Sequence, residues 1–485
     1  MTNKNNIFSN MFWRLAERCG AQLVSLIVSV ILARLLEPEV YGTVALIMIF
    51  TTILQVFVDS GLGNALIQKK EADDLDFSTV FFANIVFCLI LYIFICLCAP
   101  LLSSFYGKPE MTLYIRILSL TVLISGIKNV QQAYVSKHML FKKFFFSTLG
   151  GTITAAVVGI IMALTGFGVW ALIVQQLTNL AIDTLILWLT VKWRPCGKFS
   201  FERLKSLFSF GWKLLASSIL DTVYNDLRQL IIGKLYSSSD LAYYNQGKKL
   251  PNIIVSNINT SIDSVLLPAM SNVQDNKNHV KIMTRRSIKT SVYIMAPFMM
   301  GLAFAAKTIV NLILTEKWMP CVPFLRIFCI TYMFYPIHTA NLNAIKAMGR
   351  SDLFLKLEVA KKIVGLFVLF STMWFGVMPM AYSLLAVSVL SQIINSWPNQ
   401  KLLNYSYIDQ LKDIFPAIML SLLMGVCIYP ISVFDLPDII ILLIQIVFGA
   451  AIYIATSLFF KIDSFYYLWE IVKPYFSKRK SESTK

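Results

Sequence analysis

An all-helical protein that crosses a membrane many times is the fold class this sequence predicts, and three observations predict it. Hydrophobic residues make up 57% of the 485 and charged residues only 14%, whereas soluble domains run near 45–50% apolar and about 25% charged. Apolar stretches long enough to span, about 17–25 residues each, recur from end to end, about fourteen in all. Lys and Arg fall into alternately rich and poor connecting segments, the pattern that marks cytoplasmic loops. Mean hydropathy is +0.68, and no stretch is left over for a soluble domain.

The elements follow in order. The first span covers about residues 12–35, and the short turn Leu36-Glu-Pro-Glu-Val-Tyr-Gly42 leads into the second. The second span carries Thr52, Gln55 and Asp59 at helical spacing. It ends at Gly61 and Gly63, which allow a bend or a close backbone approach. Spans three and four occupy about 80–102 and 113–135; five and six meet at the tight turn Thr165-Gly-Phe-Gly168 and end near 191. A basic linker, 192–205, separates these six from the next six. Span seven, 204–236, opens the second half, and span eight carries Lys249, Asn252, Ser256, Thr260 and Asp263 on one face. Spans nine and ten lie at about 288–314 and 322–345. Spans eleven and twelve meet at Phe375-Gly-Val-Met-Pro379. Two apolar spans, about 414–429 and 439–460, follow as additions to a six-plus-six core. The expected domains are therefore 1–198, 199–405, 406–462 and a basic tail, 463–485.

The two halves carry related patterns. Arg116, Lys128 and Gln131 of span four recur as Arg326, His338 and Asn341 of span ten, twelve and three residues apart in each case. Polar stripes at steps of three and four also recur: Arg14, Arg18, Gln22, Ser25 and Ser29 in span one; Lys213, Ser217, Asp221, Asn225 and Arg228 in span seven. Such spacing stacks side chains on one helix face. Charges there are too costly for lipid and must face protein or trapped water. They either neutralise one another, Asp221 or Asp226 against Lys213 and Arg228, or they serve a transported solute. Because six is even, both halves enter from the same side, which makes them parallel repeats about an axis along the membrane normal.

Charge placement orients the chain. The net charge of +17 sits in clusters such as Lys69 and Lys70, Lys142 and Lys143, Arg285 and Arg286, and Lys478, Arg479 and Lys480. Arg34, Lys108, Lys234 and Lys317 are nearly alone on the opposite side. About 31 of the 43 Lys and Arg fall on the rich side, which places both termini in the cytoplasm. This pattern serves topology and excludes nucleic acid as a partner. Eight Cys form no C-x-x-C pair and three His are dispersed, so no metal site is expected. The first apolar stretch lacks a cleavage pattern, so no removable signal is expected.

The stretches Ala33-Arg-Leu-Leu-Glu-Pro-Glu-Val-Tyr-Gly42, Asp59 to Gln68 with Phe77-Ser-Thr-Val-Phe81, Ile232-Gly-Lys-Leu-Tyr236, Tyr243-Tyr-Asn-Gln246 and Ser264-Val-Leu-Leu-Pro268 resemble a known family. It is the Wzx-type polysaccharide flippases, the colanic-acid and teichuronic-acid exporter branch of the multidrug/oligosaccharidyl-lipid/polysaccharide exporter superfamily. The resemblance implies a MATE-like, V-shaped transporter. It would move an oligosaccharide repeat unit on undecaprenyl pyrophosphate across the bacterial cytoplasmic membrane by alternating access, as in lipopolysaccharide, O-antigen or exopolysaccharide synthesis. It also implies membrane lipid around the pathway and a polymerase with chain-length and export machinery as partners. Arg and Lys suit a pyrophosphate: Arg14, Arg18, Arg116, Lys128, Lys213, Arg228, Lys249 and Arg326 are the candidates. Gln55, Asn225 and the amides Gln22, Asn252 and Asn259 suit sugar hydroxyls, as Tyr224, Tyr243 and Tyr244 suit sugar faces. Asp59, Asp221, Asp226 and Asp263 are expected as counter-ions or as sites of proton or sodium coupling; no cofactor is expected. A small-molecule or multidrug exporter on the same fold is the alternative, though its cleft should be acidic. A membrane polysaccharide polymerase is the other, but a long catalytic external loop and a P-loop are lacking, so a transporter rather than an enzyme is expected.

Overall fold

The computed structural model describes the backbone of residues 4–59, 62–69 and 71–482, and the side chains of 13–473 except 15, 60, 61, 70, 210, 213 and 472. Every regular element among the described residues is helical. Among the described residues, twelve segments are long and apolar enough to cross a membrane. The chain divides into two compact units, Met1–Ala242 and Tyr243–Lys485.

The first unit holds α1 (Lys4–Leu35), α2 (Pro38–Asp59), α3 (Leu62–Gln68), α4 (Asp74–Tyr106), α5 (Met111–Leu118), α6 (Leu120–Lys137), α7 (Phe141–Leu164), α8 (Val169–Thr190) and α9 (Phe201–Leu235). α9 packs on α2, α3 and α4. The helix that opens the second sequence half therefore lies with the first unit, and compact units and sequence repeats do not share a boundary. α9 also explains why twelve segments rather than fourteen meet the apolar criterion. It is 35 residues long but carries charge at 202, 203, 205, 213, 221, 226, 228 and 234. The second such helix, Ser351–Thr372, holds Lys356, Glu358, Lys361 and Lys362 in its middle.

Packing in the first unit follows from side-chain size. α7 lies against α8 over its whole length, with the α7 face made of Gly151, Thr152, Ala155, Ala156, Gly159 and Ala163. Small residues let helix backbones approach where lipid supplies no hydrophobic drive. One cluster around Val28, Leu32, Leu36, Val44 and Leu172 joins α1, α2, α7 and α8. Another, with Leu66, Phe77, Phe81, Val130, Leu187 and Trp193, sits where α3, α4, α6, α8 and the following linker meet. Gly63 comes so near Asn129 that a Cβ would lie 2.5 Å from its Oδ1, the close approach expected there; Gly61 lies outside the described residues. Gly42 is tighter still. A Cβ on it would stand 1.7 Å from the Ser238 carbonyl oxygen, so only glycine fits. Lys108 closes the same joint, donating to Ser238 Oγ at 2.6 Å and Thr43 Oγ1 at 3.4 Å.

The linker is stapled to the resembling motif. Asp73 caps α4, accepting from the Asp76 N–H at 2.9 Å, and Asp76 returns the bond, a capping box. Asp76, fully buried, takes Lys69 Nζ at 2.7 Å and Arg203 at 3.2 Å; Arg203 also binds Asp73. Ser78 Oγ accepts from the Cys196 N–H at 2.9 Å and Thr79 Oγ1 from the Ser200 N–H at 3.2 Å. The Arg203 guanidinium, and then the Asp76 N–H, hold the Asp73 carboxyl down at about 2.

The second unit continues with α10 (Ser238–Ser271, its first turn in the first unit), α11 (Lys277–Phe304), α12 (Ala306–Leu314), α13 (Val322–Met333), α14 (Tyr335–Ala347), α15 (Ser351–Thr372), α16 (Val377–Leu403), α17 (Tyr407–Ile428), α18 (Asp438–Phe459) and α19 (Asp463–Glu482). α11 packs along α17 through Tyr293, Ala417, Leu420 and Met424, against which Phe465 and Leu468 of α19 also lie. The tail expected at 463–485 is thus helical as far as Glu482.

Spans four, nine and ten were expected to be continuous and each is broken, at Ser119, Ala305 and Phe334. The last break has a plain cause. Pro336 has no N–H and its ring collides with the carbonyl four residues back, so the helix restarts with Pro at its first turn.

Candidate functional site

The matched residues of spans four and ten make the same contacts in their own units. Arg116, on α5, donates its Nε to the Cys96 carbonyl of α4 at 3.3 Å; Arg326, on α13, donates its Nε to the Ala303 carbonyl of α11 at 3.2 Å. Lys128 of α6 bridges to Asp183 of α8 at 2.5 Å, and His338 of α14 pairs with Asn395 of α16 at 3.0 Å. Gln131 reaches the Trp193 carbonyl beyond α8, while Asn341 bonds Ser396 and is bonded by Asn399, both on α16. Three matched positions, the first Arg in both halves and the other two unlike, thus tie span four to spans three and six, and span ten to spans nine and twelve.

These ties decide what is free for a solute. Lys128 and Asp183 are 13% and 9% exposed, so that ammonium is already neutralised. Asp183 was missed in the sequence because it stands alone in an apolar run, and its partner lies 55 residues away. Beside this pair, Asp59 accepts from Gln55 Nε2 at 3.1 Å and Asn129 Nδ2 at 3.3 Å, and Asn129 in turn accepts from Asn84. The expected counter-ion is therefore bound by amides. Its carboxylate stays accessible and within electrostatic reach of Lys128.

The other candidates sort by exposure. Arg14 bridges to Glu17 at 2.6 Å and lies over the Phe141 and Phe144 rings. Arg18, Gln22 and Ser25 are exposed on α1, as are Ser217, Asp221 and Asn225 on α9. Arg228 is buried, and Asp226 accepts from Gln229 at 2.8 Å. Lys213 lies outside the described residues. On α10, Asn252, Ser256, Thr260 and Asp263 are exposed while Lys249 is half-buried; Asp263 accepts from Asn343 Nδ2 at 2.7 Å. Tyr244 does not present a sugar-stacking face. It is buried between Phe324 and Phe328, with ring centroids 6.0 and 5.2 Å away, and Tyr243 packs on Trp318. Among the described residues no cluster of three His, Cys, Asp or Glu could hold a metal.

Each unit therefore carries spanning helices whose apolar composition is interrupted by accessible polar side chains. Comparison with known proteins agrees with that picture. The family described as Polysaccharide biosynthesis protein matches residues 31–323, more than half of the chain. The chain belongs to this family. It is 22% identical to the teichuronic acid biosynthesis protein TuaB of Bacillus subtilis over 79% of this chain and 80% of that one. It is 23% identical to the lipopolysaccharide biosynthesis protein WzxC of Escherichia coli, over 70% and 69%. Among solved structures, the lipid II flippase MurJ in an inward closed conformation superposes with a TM-score of 0.75 at 16% identity, over 93% of this chain and 99% of that one. An inward-facing MATE-family multidrug transporter gives 0.60 at 14% identity, over 79% and 95%. This member of the polysaccharide biosynthesis family thus has the MATE-like fold that the sequence led one to expect, a fold also shared with MurJ.

Proposed function

We propose that this protein is a flippase that carries a lipid-linked oligosaccharide across the cytoplasmic membrane of a bacterium. The observation that carries the reading is the accessible polar face of helices otherwise built for lipid: Arg18, Gln22 and Ser25; Ser217, Asp221 and Asn225; Asn252, Thr260 and Asp263. Intramembrane polar groups belong beside a water-filled path, and these faces, each within its own unit, include cations, amides and hydroxyls. A sugar repeat unit on undecaprenyl pyrophosphate needs all three. Its relatives' names point to polysaccharide and lipopolysaccharide synthesis.

In this reading Arg14 and Arg18 capture the pyrophosphate at the cytoplasmic end, Lys213, Arg228 and Lys249 compensate it further in, and the amides take sugar hydroxyls in turn. Lys128 holds α6 to α8 instead of touching the substrate. Both termini lie in the cytoplasm, following the Lys and Arg bias, and all fourteen apolar or striped segments span. The protein forms no covalent bond to its substrate. Proton or sodium coupling falls to the accessible acids Asp59, Asp221 and Asp263, and a polymerase receives the product on the outer face. The test is the leaflet distribution of lipid-linked repeat units in cells lacking this chain. Complete units confined to the cytoplasmic leaflet support the proposal. Units that reach the outer leaflet unpolymerised would refute it in favour of a polymerase, and an unchanged pool would favour small-molecule export. Complementation with Arg14→Gln, Arg18→Gln should restore little surface polymer if these residues capture the pyrophosphate; full restoration removes them from the site.

A further inference from the structure

A cation-lined cavity stands apart from the polar helix faces. It opens where α11 begins and α19 starts, has a volume of about 470 Å3, and its lining includes Arg285, Arg286, Lys289, Thr290, Asp463 and Tyr467. Three cations against one lining carboxylate leave it positive. Its groups are also arranged unequally. Arg285 spends Nε and Nη2 on Asp413, at 2.7 Å each, which fixes its guanidinium in the wall. Lys289 meets Asp463 at 3.0 Å, but that carboxylate is 84% exposed and can swing into water. The Arg286 guanidinium carbon stands 4.3 Å from the centre of the Tyr467 ring, and Arg286 has no carboxylate partner among the described residues. The Thr290 hydroxyl, a turn beyond Arg286, completes a wall of hydrogen-bond donors.

The position of the cavity names the anion. α11 and α18 are both of spanning character, and α19 follows α18 after a short turn, so the cavity sits at one membrane surface. α19 is anchored there by Phe465 and Leu468, packed inward. Its Tyr466, Trp469 and Ile471 are 42, 52 and 47% exposed. Aromatic side chains of that kind mark the headgroup level, and a helix with this distribution lies in the interface plane. We infer that this cavity binds the phosphate of an anionic phospholipid from the bilayer leaflet on that side, with Arg286, Lys289 and Thr290 on the phosphate and the acyl chains running past Tyr466 and Trp469. By the orientation proposed above the leaflet is the cytoplasmic one, where basic pockets beside spanning helices meet anionic headgroups. The bound lipid fastens α19 to α11 and so sets the C-terminal helix against the membrane.

The purified full chain, with lipid exchanged for defined mixtures, provides the test by native mass spectrometry and thermal melting. Phosphatidylglycerol should remain bound at detergent concentrations that strip phosphatidylcholine and should raise the melting temperature. Arg286→Gln with Lys289→Gln should weaken that binding roughly tenfold or more, as loss of charge-assisted bonds requires. Lys277→Gln, on the same helix outside the cavity, should leave it unchanged. Equal loss in Lys277→Gln, equal retention of phosphatidylcholine, or competition by millimolar inorganic phosphate as strong as by the lipid would each overturn the inference. Transport does not enter the measurement, so its outcome is independent of the proposed substrate.

Discussion

Removing the carboxylate of Asp183 should reveal what Lys128 does. The two side chains meet at 2.5 Å with 13% and 9% exposure, and Asp59, the acid within electrostatic reach, is already held by Gln55 and Asn129. Asp183→Ala therefore leaves the ammonium enclosed between α6 and α8 with no counter-charge in contact. Breaking a buried pair from one side costs about 3–5 kcal/mol, which for a unit of this size is on the order of 10 °C in melting temperature. Replacing both partners by apolar residues, Lys128→Met with Asp183→Leu, removes the enclosed charge altogether and should bring stability back to within about 2 kcal/mol of the original. The assay is thermal unfolding of the detergent-solubilised protein followed by size-exclusion, with export of surface polymer measured in the same two variants. Recovery of both stability and export in the double variant is expected from an interhelical tie. A single variant that melts with the parent would refute the enclosed-pair argument. A double variant that is stable yet silent in export would return Lys128 to the substrate.

Three other outcomes follow from the fold. Gly42→Ala must push a methyl into the Ser238 backbone and should cost at least the upper end of the about 1–3 kcal/mol of overpacking. Gly20→Ala, with its nearest atom 3.5 Å away, should fold normally by the same melting assay. The Asp73 contact to Arg203 strengthens the linker staple with a carboxyl lowered from 3.8 to about 2. A lowered folded pKa adds stability that is full above the unfolded value and is lost as pH falls through the folded one. Linker protection from protease should therefore hold at neutral pH and fall between about pH 4 and 2, and Asp73→Asn should abolish that dependence. Finally, Glu37→Cys and Ser237→Cys in a cysteine-free background should react with a membrane-impermeant maleimide added outside intact cells; labelling only after lysis would invert the topology.

Much of this was legible in the sequence, because a membrane imposes one-dimensional rules. Spans follow from runs of apolar residues, the expected orientation from the Lys and Arg of the loops and the family from local stretches such as residues 33–42, and the matched positions 116, 128 and 131 with 326, 338 and 341 announced the repeat. What these residues touch was not legible. Arg116 and Arg326 were expected to cradle an anion, yet each donates Nε to a main-chain carbonyl on the preceding span; spacing along one helix carries no information about which neighbour supplies the acceptor. Asp183 escaped notice for the same reason. The division of compact units after Ala242 depends on where α9 packs, a tertiary fact. The break at Phe334 could have been read from Pro336, whereas Ser119 offers no such signal.

The paired ties at positions 128 and 338 separate the place of a joint from its chemistry. One half joins its helices with an ammonium and a carboxylate 55 residues apart, the other with an imidazole and an amide 57 apart. The matched helix position holds a joint in both halves, while the chemistry filling it differs. Transplanting the His338 and Asn395 pair onto positions 128 and 183 would exchange an ion pair for an imidazole and an amide at the joint between α6 and α8.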